Sequence, residues 1–135
     1  MCDDGTMLPD DPLLRFCHLI EEALVDKGMS MKICRDLRPM LTEAGFENIH
    51  VIRKRIPIGE WQDEEKMRYI GRMERFVLLD VVAAVLCMFE ERGMSKPERE
   101  VWAAGARRGI DNLSVHRYFM QYFWVAQKPG GEAEE

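Results

Sequence analysis

The stretch LTEAGFENIHVIRKRIPIGEW, residues 41–61, decides the fold class of this chain. Its first part ends at Gly45, a residue type that commonly follows the last turn of a helix. Residues 46–56 are rich in isoleucine and valine, which predicts a strand. Pro57 cannot donate to a sheet ladder, so the strand is predicted to end there. The stretch therefore predicts a helix followed directly by a strand.

The remaining helices are predicted from capping residues and apolar periodicity. Asp11 precedes a proline, as at the start of many helices, and opens a first amphipathic helix. Residues 63–92 have a helical pattern, in which Gly71 is the predicted site of a bend or break. Ser95 and Glu98 have the spacing of a capping box, which predicts one more helix. Residues 115–125 alternate in large side chains and predict a second, aromatic strand.

Composition limits the classes of protein to which the chain can belong. It has 135 residues, of which 47% are hydrophobic and 32% charged, and a net charge of −5. These values are ordinary for a soluble globular domain and argue against a nucleic-acid partner. The basic run from Arg53 to Arg55 is interpreted as a solvated strand face. With no signal region and no apolar run of about 20 residues, we expect a cytoplasmic protein without membrane contact.

Five short motifs follow one another along the chain. They resemble, in order and spacing, the C-terminal part of fungal LaeA-like class I S-adenosylmethionine (SAM) methyltransferases, and the resemblance covers nearly the whole sequence. Individually each motif is weak, so the resemblance depends on their shared order. The motifs are Cys2 to Thr6, Glu43 to Phe46, Pro57 to Gly59 with Trp61, Ile70 to Arg72, and His116 with Tyr118.

The resemblance implies a fold and an incomplete surface. We expect an α+β domain over residues 1–129, in which about five helices pack on a two-stranded antiparallel β-hairpin, and a disordered acidic tail at residues 130–135. In the full fold these strands would lie at one edge of a seven-stranded sheet. Without the other strands, a strand edge and an apolar face would be open. A homodimer or a methyltransferase-like partner chain is therefore predicted to cover them.

The sequence also bears on cofactors. SAM binding in the resembled fold depends on a glycine-rich turn after the first strand and on an acidic residue that ends the second. The 135 residues contain neither, so the resemblance implies that the SAM-binding half is missing and that no cofactor is bound. The four cysteines lie far apart and predict no metal site.

Four residues are candidate catalytic groups. His116 and Tyr118 share a face of the predicted aromatic strand, where an imidazole beside a phenol could transfer a proton to or from an oxygenated substrate. A structural hydrogen bond is the alternative for the histidine. Arg72 and Glu74 follow the predicted break and could point into a cleft, or they could form a surface ion pair with a neighbour on the helix.

Substrate binding is predicted for a set of aromatic and methionine side chains. Methionine gives an adaptable apolar lining, although filling the core is the simpler role for any single one. The aromatic residues could close the mouth of a pocket for a small apolar metabolite, or could pack on the core. The predicted set is Trp61, Tyr69, Met73, Met120, Tyr122 and Trp124.

Three functions remain open from the sequence. The favoured one is a SAM-independent enzyme of fungal natural-product biosynthesis that promotes cyclisation, isomerisation or a pericyclic step on an apolar intermediate. The second is a non-catalytic module that binds another protein. The third is one half of a split or truncated methyltransferase.

Overall fold

The computed structural model describes residues 1–130, and residues 131–135 of the predicted acidic tail lie outside them. The fold is α+β, as predicted, with five α-helices and a two-stranded antiparallel sheet in the described part. In chain order the elements are α1 (Pro12–Val25), a 3-10 turn (Ile33–Arg35), α2 (Arg38–Glu43), β1 (Glu47–Pro57), α3 (Glu65–Ala84), α4 (Leu86–Glu91), α5 (Lys96–Asp111) and β2 (Tyr118–Gln127).

The two strands pair in the expected direction but do not form a hairpin. Ile56 lies opposite Phe119 and Pro57 opposite Tyr118, while α3, α4 and α5 all lie between the strands in sequence. The predicted start of β2 at residue 115 was wrong. The N–H of Arg117 donates to the carbonyl of Val115 at 2.9 Å, so the chain turns before it enters the sheet.

The predicted break at Gly71 is absent, because α3 runs through this glycine to Ala84, and the interruption lies at Val85 between α3 and α4. Gly71 serves a close approach of two backbones. The N–H of Gly59, in the loop after β1, donates to the carbonyl of Gly71 at 3.0 Å. A Cβ on Gly71 would lie 1.9 Å from the carbonyl oxygen of Gly59. The glycine therefore allows the backbone of α3 to pack directly against the loop.

The hydrophobic core lies between α1, α3, α4 and α5, at the end of the sheet where β2 begins. Phe16 of α1 and Phe89 of α4 meet edge to face, with ring centroids 5.4 Å apart, and both are almost fully buried. Phe119 packs against this core from the sheet. The core residues are Leu13, Phe16, Ala23, Ile58, Leu78, Val82, Phe89, Ala103, Ala106 and Ile110.

One buried ion pair joins three elements at the edge of this core. The guanidinium of Arg117 contacts the carboxylate of Asp11, and both side chains are only 4% exposed. Arg117 also donates to the carbonyls of Gly109 at 2.7 Å and Asn112 at 3.1 Å. The carboxylate of Asp11 in turn accepts hydrogen bonds from the N–H groups of Leu13 and Leu14 in the first turn of α1. Asp11 is therefore the N-cap that the sequence predicts. The pair ties the start of α1 to the end of α5 and to the entry of β2.

Much of the far end of the sheet is uncovered. Ile52 and Phe123 lie opposite one another on one sheet face and are 51% and 48% exposed, and Val125 of the same face is 57% exposed. An open apolar face of the predicted kind is therefore present in residues 1–130. None of the helices in these residues is both long enough and apolar enough to span a bilayer.

Candidate acid–base site

A pocket of about 260 Å³ lies beside the start of β2. Its floor is formed by Pro57 and Tyr118, which face each other across the two strands. The loop after β1 and the first residues of the chain form its walls. The lining side chains are Asp3, Asp4, Arg55, Pro57, Trp61, Gln62, His116 and Tyr118.

His116 is held on two sides. Its Nδ1 lies 2.5 Å from a carboxylate oxygen of Asp4, and its ring stacks on Trp61 with centroids 4.8 Å apart and an interplanar angle of 16°. The backbone N–H of His116 donates to the Thr6 hydroxyl at 3.0 Å. Its Nε2 has no hydrogen-bond partner in the described chain, and the side chain is 40% exposed. One ring nitrogen is thus oriented and the other is left for a ligand.

Trp61 is itself fixed by the backbone next to His116. The indole N–H donates to the carbonyl of Arg117 at 2.9 Å, and this carbonyl also accepts the N–H of Ile58 at 2.9 Å. The loop after β1 and the entry of β2 are therefore joined directly. Because the indole is anchored, the imidazole of His116 rests on a rigid surface.

Asp4 is kept ionised by its neighbours. The Cys2 thiol donates to its carboxylate at 3.0 Å, and the N–H and hydroxyl of Thr6 donate at 3.0 and 2.8 Å. These hydrogen bonds, that of Cys2 foremost, hold the pKa of Asp4 well below its usual range. A carboxylate that stays charged beside Nδ1 favours the tautomer with its proton on that nitrogen, which leaves Nε2 as the acceptor of the neutral ring.

Tyr118 is a donor in a second small network. Its hydroxyl donates to Asp3 at 2.7 Å, and this hydrogen bond raises the pKa of the phenol above its usual value. Arg55 binds the other oxygen of Asp3 at 3.0 Å and lies over the Tyr118 ring, 5.0 Å from its centroid. The pocket therefore has a cation, the guanidinium of Arg55, beside an oriented histidine.

A larger pocket of about 390 Å³ lies between α1, the 3-10 turn and β2. Met120 and Tyr122, two of the predicted substrate-binding residues, line it together with Arg117 and Phe119. Its lining is mainly apolar and rich in sulfur, with Met1, Met7, Met31, Cys17 and Cys34 among its residues.

The other predicted site residues lie outside both pockets. Arg72 forms a two-point ion pair with Glu60, with N–O distances of 2.8 and 2.7 Å. The predicted alternative of a surface ion pair is therefore present, but its partner lies on the loop after β1 and not on the helix. Glu74 is half-buried on α3, and burial raises the pKa of its carboxyl. Tyr69 and Met73 are 60% and 39% exposed on α3. Trp124 donates its indole N–H to the carbonyl of Cys34 at 2.9 Å.

The structure thus brings His116, Tyr118 and Trp61 into one pocket, and it separates them from the other predicted residues. The sequence reasoning missed Asp3, Asp4 and Arg55. The signal for the two aspartates was available, because they belong to the Cys2 to Thr6 motif. In residues 1–130, no group of three or more histidine, cysteine, aspartate or glutamate side chains could hold a metal ion.

The low pKa of Asp4 gives a first prediction. Replacing Cys2 with alanine is expected to raise the pKa of the Asp4 carboxyl towards the ordinary aspartate value of about 3.9, since the largest stabilising hydrogen bond is lost. In the unchanged chain, the charged carboxylate of Asp4 and its hydrogen bonds stabilise the fold fully above the ordinary aspartate pKa. This stabilisation is lost as the pH falls through the lower pKa of Asp4 in the folded chain. Carbon-13 NMR titration of the carboxyl measures the shift. Cys34→Ala is the matched control, and an unchanged Asp4 midpoint in Cys2→Ala would contradict the assignment.

Known proteins with similar sequences agree with the class that the motifs indicate. Over 129 residues the chain is 29% identical to methyltransferase pytC of Aspergillus terreus, and the match covers 94% of this chain and 40% of that protein. It is 23% identical over 135 residues to probable methyltransferase tdiE of Emericella nidulans, covering 98% of this chain and 43% of the relative. It is 25% identical over 132 residues to secondary metabolism regulator LAE1 of Cochliobolus heterostrophus, and this match covers 95% of this chain and 43% of the relative.

The predicted resemblance to fungal methyltransferases and LaeA-like regulators of secondary metabolism is therefore confirmed. The chain spans less than half the length of these relatives. No family model matches the chain, and no solved structure matches it significantly.

Proposed function

We propose that the chain is an enzyme that moves protons on a small apolar metabolite of fungal secondary metabolism, without SAM. The observation that carries the proposal is the His116 imidazole, held by Asp4 on one side and Trp61 on the other, with Nε2 left for a ligand. The relative named as a secondary metabolism regulator, LAE1 of Cochliobolus heterostrophus, supports the substrate class. Independence from SAM is part of the proposal, because the proton transfer uses only groups that line the pocket.

The proposed chemistry requires no co-reactant. Nε2 of His116 removes a proton from a carbon next to a carbonyl, and the same nitrogen returns it to another carbon of the same molecule. The negative charge that develops on the carbonyl oxygen is balanced by Arg55, and the imidazolium is balanced by Asp4. The net result is an isomerisation. Where the enolate carbon attacks a second carbonyl carbon within the molecule, the C=O π bond opens, its oxygen takes the proton back from Nε2, and the result is a cyclisation. The same pocket could promote a pericyclic step by holding its substrate folded.

Solvent-exchange experiments test this proposal. The purified chain is incubated in D2O with a fungal metabolite extract, and deuterium uptake into bound metabolites is followed by mass spectrometry, with and without SAM. We expect deuterium uptake that does not depend on SAM. We expect this uptake to fall by about tenfold or more in His116→Gln, because the variant loses the general base. His50→Gln is the matched control, because His50 is exposed on β1. Equal uptake in the wild type and in His116→Gln would contradict the proposal.

A second candidate is one half of a methyltransferase that acts with another chain. It is supported by the coverage of the relatives, which extend well beyond the matched residues. In that case His116 would remove the proton from the acceptor atom, and the methyl group would come from SAM on the partner. Methyl transfer that appears when the unmatched part of methyltransferase pytC is added with SAM would favour this candidate over the first. No methylation, together with SAM-independent exchange, would favour the first.

A further inference from the structure

Two polar groups in the wall of the acid–base pocket have hydrogen-bonding capacity to spare. The side-chain amide of Gln62, in the loop after β1, is partly buried and makes no hydrogen bond to another residue of the described chain. The guanidinium of Arg55 binds Asp3 through one nitrogen at 3.0 Å and has further N–H groups. The indole of Trp61 and the phenol of Tyr118 are already engaged, with a backbone carbonyl and with Asp3. The pocket therefore has two available donors, on β1 and on the loop after it.

The base in this pocket restricts the protons that can be removed. Proton transfer to a side chain is efficient when the two groups are of comparable acidity, and a neutral imidazole is a base of moderate strength. A C–H next to a single carbonyl is a far weaker acid than an imidazolium. Removing such a proton requires preorganised donors around the developing oxyanion, in a site that excludes water.

Water reaches the charged groups around His116. The side chains of His116 and Asp4 are 40% and 44% exposed, and that of Arg55 is 65% exposed. Exposed charges are screened by solvent, and Arg55 is also shared with Asp3. The guanidinium therefore gives only modest stabilisation to a negative charge on a substrate oxygen. The substrate itself has to supply the rest of the acidity of the C–H bond.

A C–H between two carbonyls meets this requirement. Loss of its proton spreads the electron pair over two oxygens, which makes the C–H a much stronger acid. Two oxygens also match the two available donors, the guanidinium of Arg55 and the amide of Gln62. The pocket already contains the carboxylates of Asp3 and Asp4 against one guanidinium, so a carboxylate on the substrate would be repelled.

We propose that the substrate of this site is an uncharged 1,3-dicarbonyl compound, which gives the proton between its carbonyls to Nε2 of His116 while Arg55 and Gln62 each donate to one oxygen. The inference rests on the proposed proton-transfer function and names its substrate class. The C–H bond breaks, its electron pair is shared by the two oxygens, and the proton lies on Nε2. Return of the proton to the same carbon from the other face, or to another atom of the delocalised enolate, completes the isomerisation.

Two small probes that differ in the number of carbonyls test the proposal on the full chain. Ethyl 2-methylacetoacetate has one C–H between two carbonyls, whereas each acidic C–H of cyclohexanone lies next to a single one. Each probe is incubated in D2O with the chain, and loss of the C–H signal is followed by proton NMR against the rate in buffer alone. We expect exchange of the keto ester to be accelerated about tenfold or more, and to return to the buffer rate in His116→Gln. Exchange of cyclohexanone is expected to stay at its buffer rate.

Replacing Gln62 with leucine tests the second donor. We expect kcat/KM for exchange of the keto ester to fall about tenfold, as for loss of a hydrogen bond to a developing charge. Gln121→Leu is the matched control and is expected to leave kcat/KM unchanged, because Gln121 is exposed on the opposite face of the sheet. Equal values of kcat/KM in the wild type and in Gln62→Leu would overturn the proposal.

The two probes also separate this inference from the proposed function. Equal acceleration of both probes would overturn the inference, because a single carbonyl would then suffice. So would a keto ester that exchanges no faster than in buffer while metabolites of the fungal extract still take up deuterium through His116. Both of these results leave the proposed function standing. If uptake with the extract did not depend on His116 either, the function and this inference would be overturned together.

Discussion

Replacing Asp11 with alanine is expected to lower the free energy of unfolding by about 3–5 kcal/mol, the range measured when one partner of a buried ion pair is removed. The guanidinium of Arg117 would remain 4% exposed without its counter-charge. The variant would also lose the N-cap of α1, because Asp11 accepts the N–H groups of Leu13 and Leu14 at 3.1 Å each. A domain of this size has a total stability of about 5–15 kcal/mol, so a large part of it depends on this carboxylate. Urea denaturation measures the loss.

Two further variants separate the charge effect from a general one. Asp10→Ala alters an exposed neighbour and is expected to change the unfolding free energy by less than about 0.5 kcal/mol. Combining Asp11→Ala with Arg117→Met removes the stranded charge, so the double variant is expected to lose less than the sum of the single variants by about 1–3 kcal/mol. Strictly additive losses would show that the ion pair is not the source of the effect.

Gly71→Ala is expected to destabilise the fold by about 3 kcal/mol or more, at the upper end of the range for forced overpacking. The new Cβ would lie 1.9 Å from the carbonyl oxygen of Gly59, which is backbone and cannot rotate away. Either α3 or the loop after β1 must move. Because this loop leads into Trp61, the stacking partner of His116, the candidate site should be displaced as well. Urea denaturation gives the stability, and the ring-proton shifts of His116 report the displacement.

Gly105→Ala is the matched control for this substitution. Gly105 is also inside a helix, but a Cβ there would meet only the Cβ of Pro12, at 3.8 Å. Alanine is the better helix former, so this variant is expected to gain about 0.5–1 kcal/mol. If Gly71→Ala behaved like Gly105→Ala, the close approach of α3 to the loop would be refuted.

Local patterns predicted the elements well, because their causes are local. The N-cap at Asp11, the capping box at Ser95 and the strand that ends at Pro57 all depend on residues within a few positions of each other. The break in the long helix was misplaced for the opposite reason. Gly71 is explained by Gly59, which is close in space and on a different element, and periodicity along one helix carries no information about such a contact.

The candidate site could be predicted only in part, for a similar reason. His116, Tyr118 and Trp61 were recognised by residue type, and the structure gathers them in one pocket. Their partners Asp3 and Asp4 lie more than a hundred positions away in sequence from the residues they bind. No spacing rule could connect them. The motifs that were noticed one by one are in fact contact pairs: Gly59 with Gly71, and the Cys2 to Thr6 segment with His116 and Tyr118.

The entry into β2 also bears on how this protein could acquire new chemistry. His116 and Tyr118 contribute to the pocket, while Arg117 between them is turned inward and carries the buried ion pair. Stability and reactivity therefore depend on alternate residues of one short segment. Evolution, or a laboratory library, can vary residue 116, whose side chain is 40% exposed, while residue 117 keeps the fold intact. Such a segment allows substrate preference to drift without the loss of folding that usually limits active-site change.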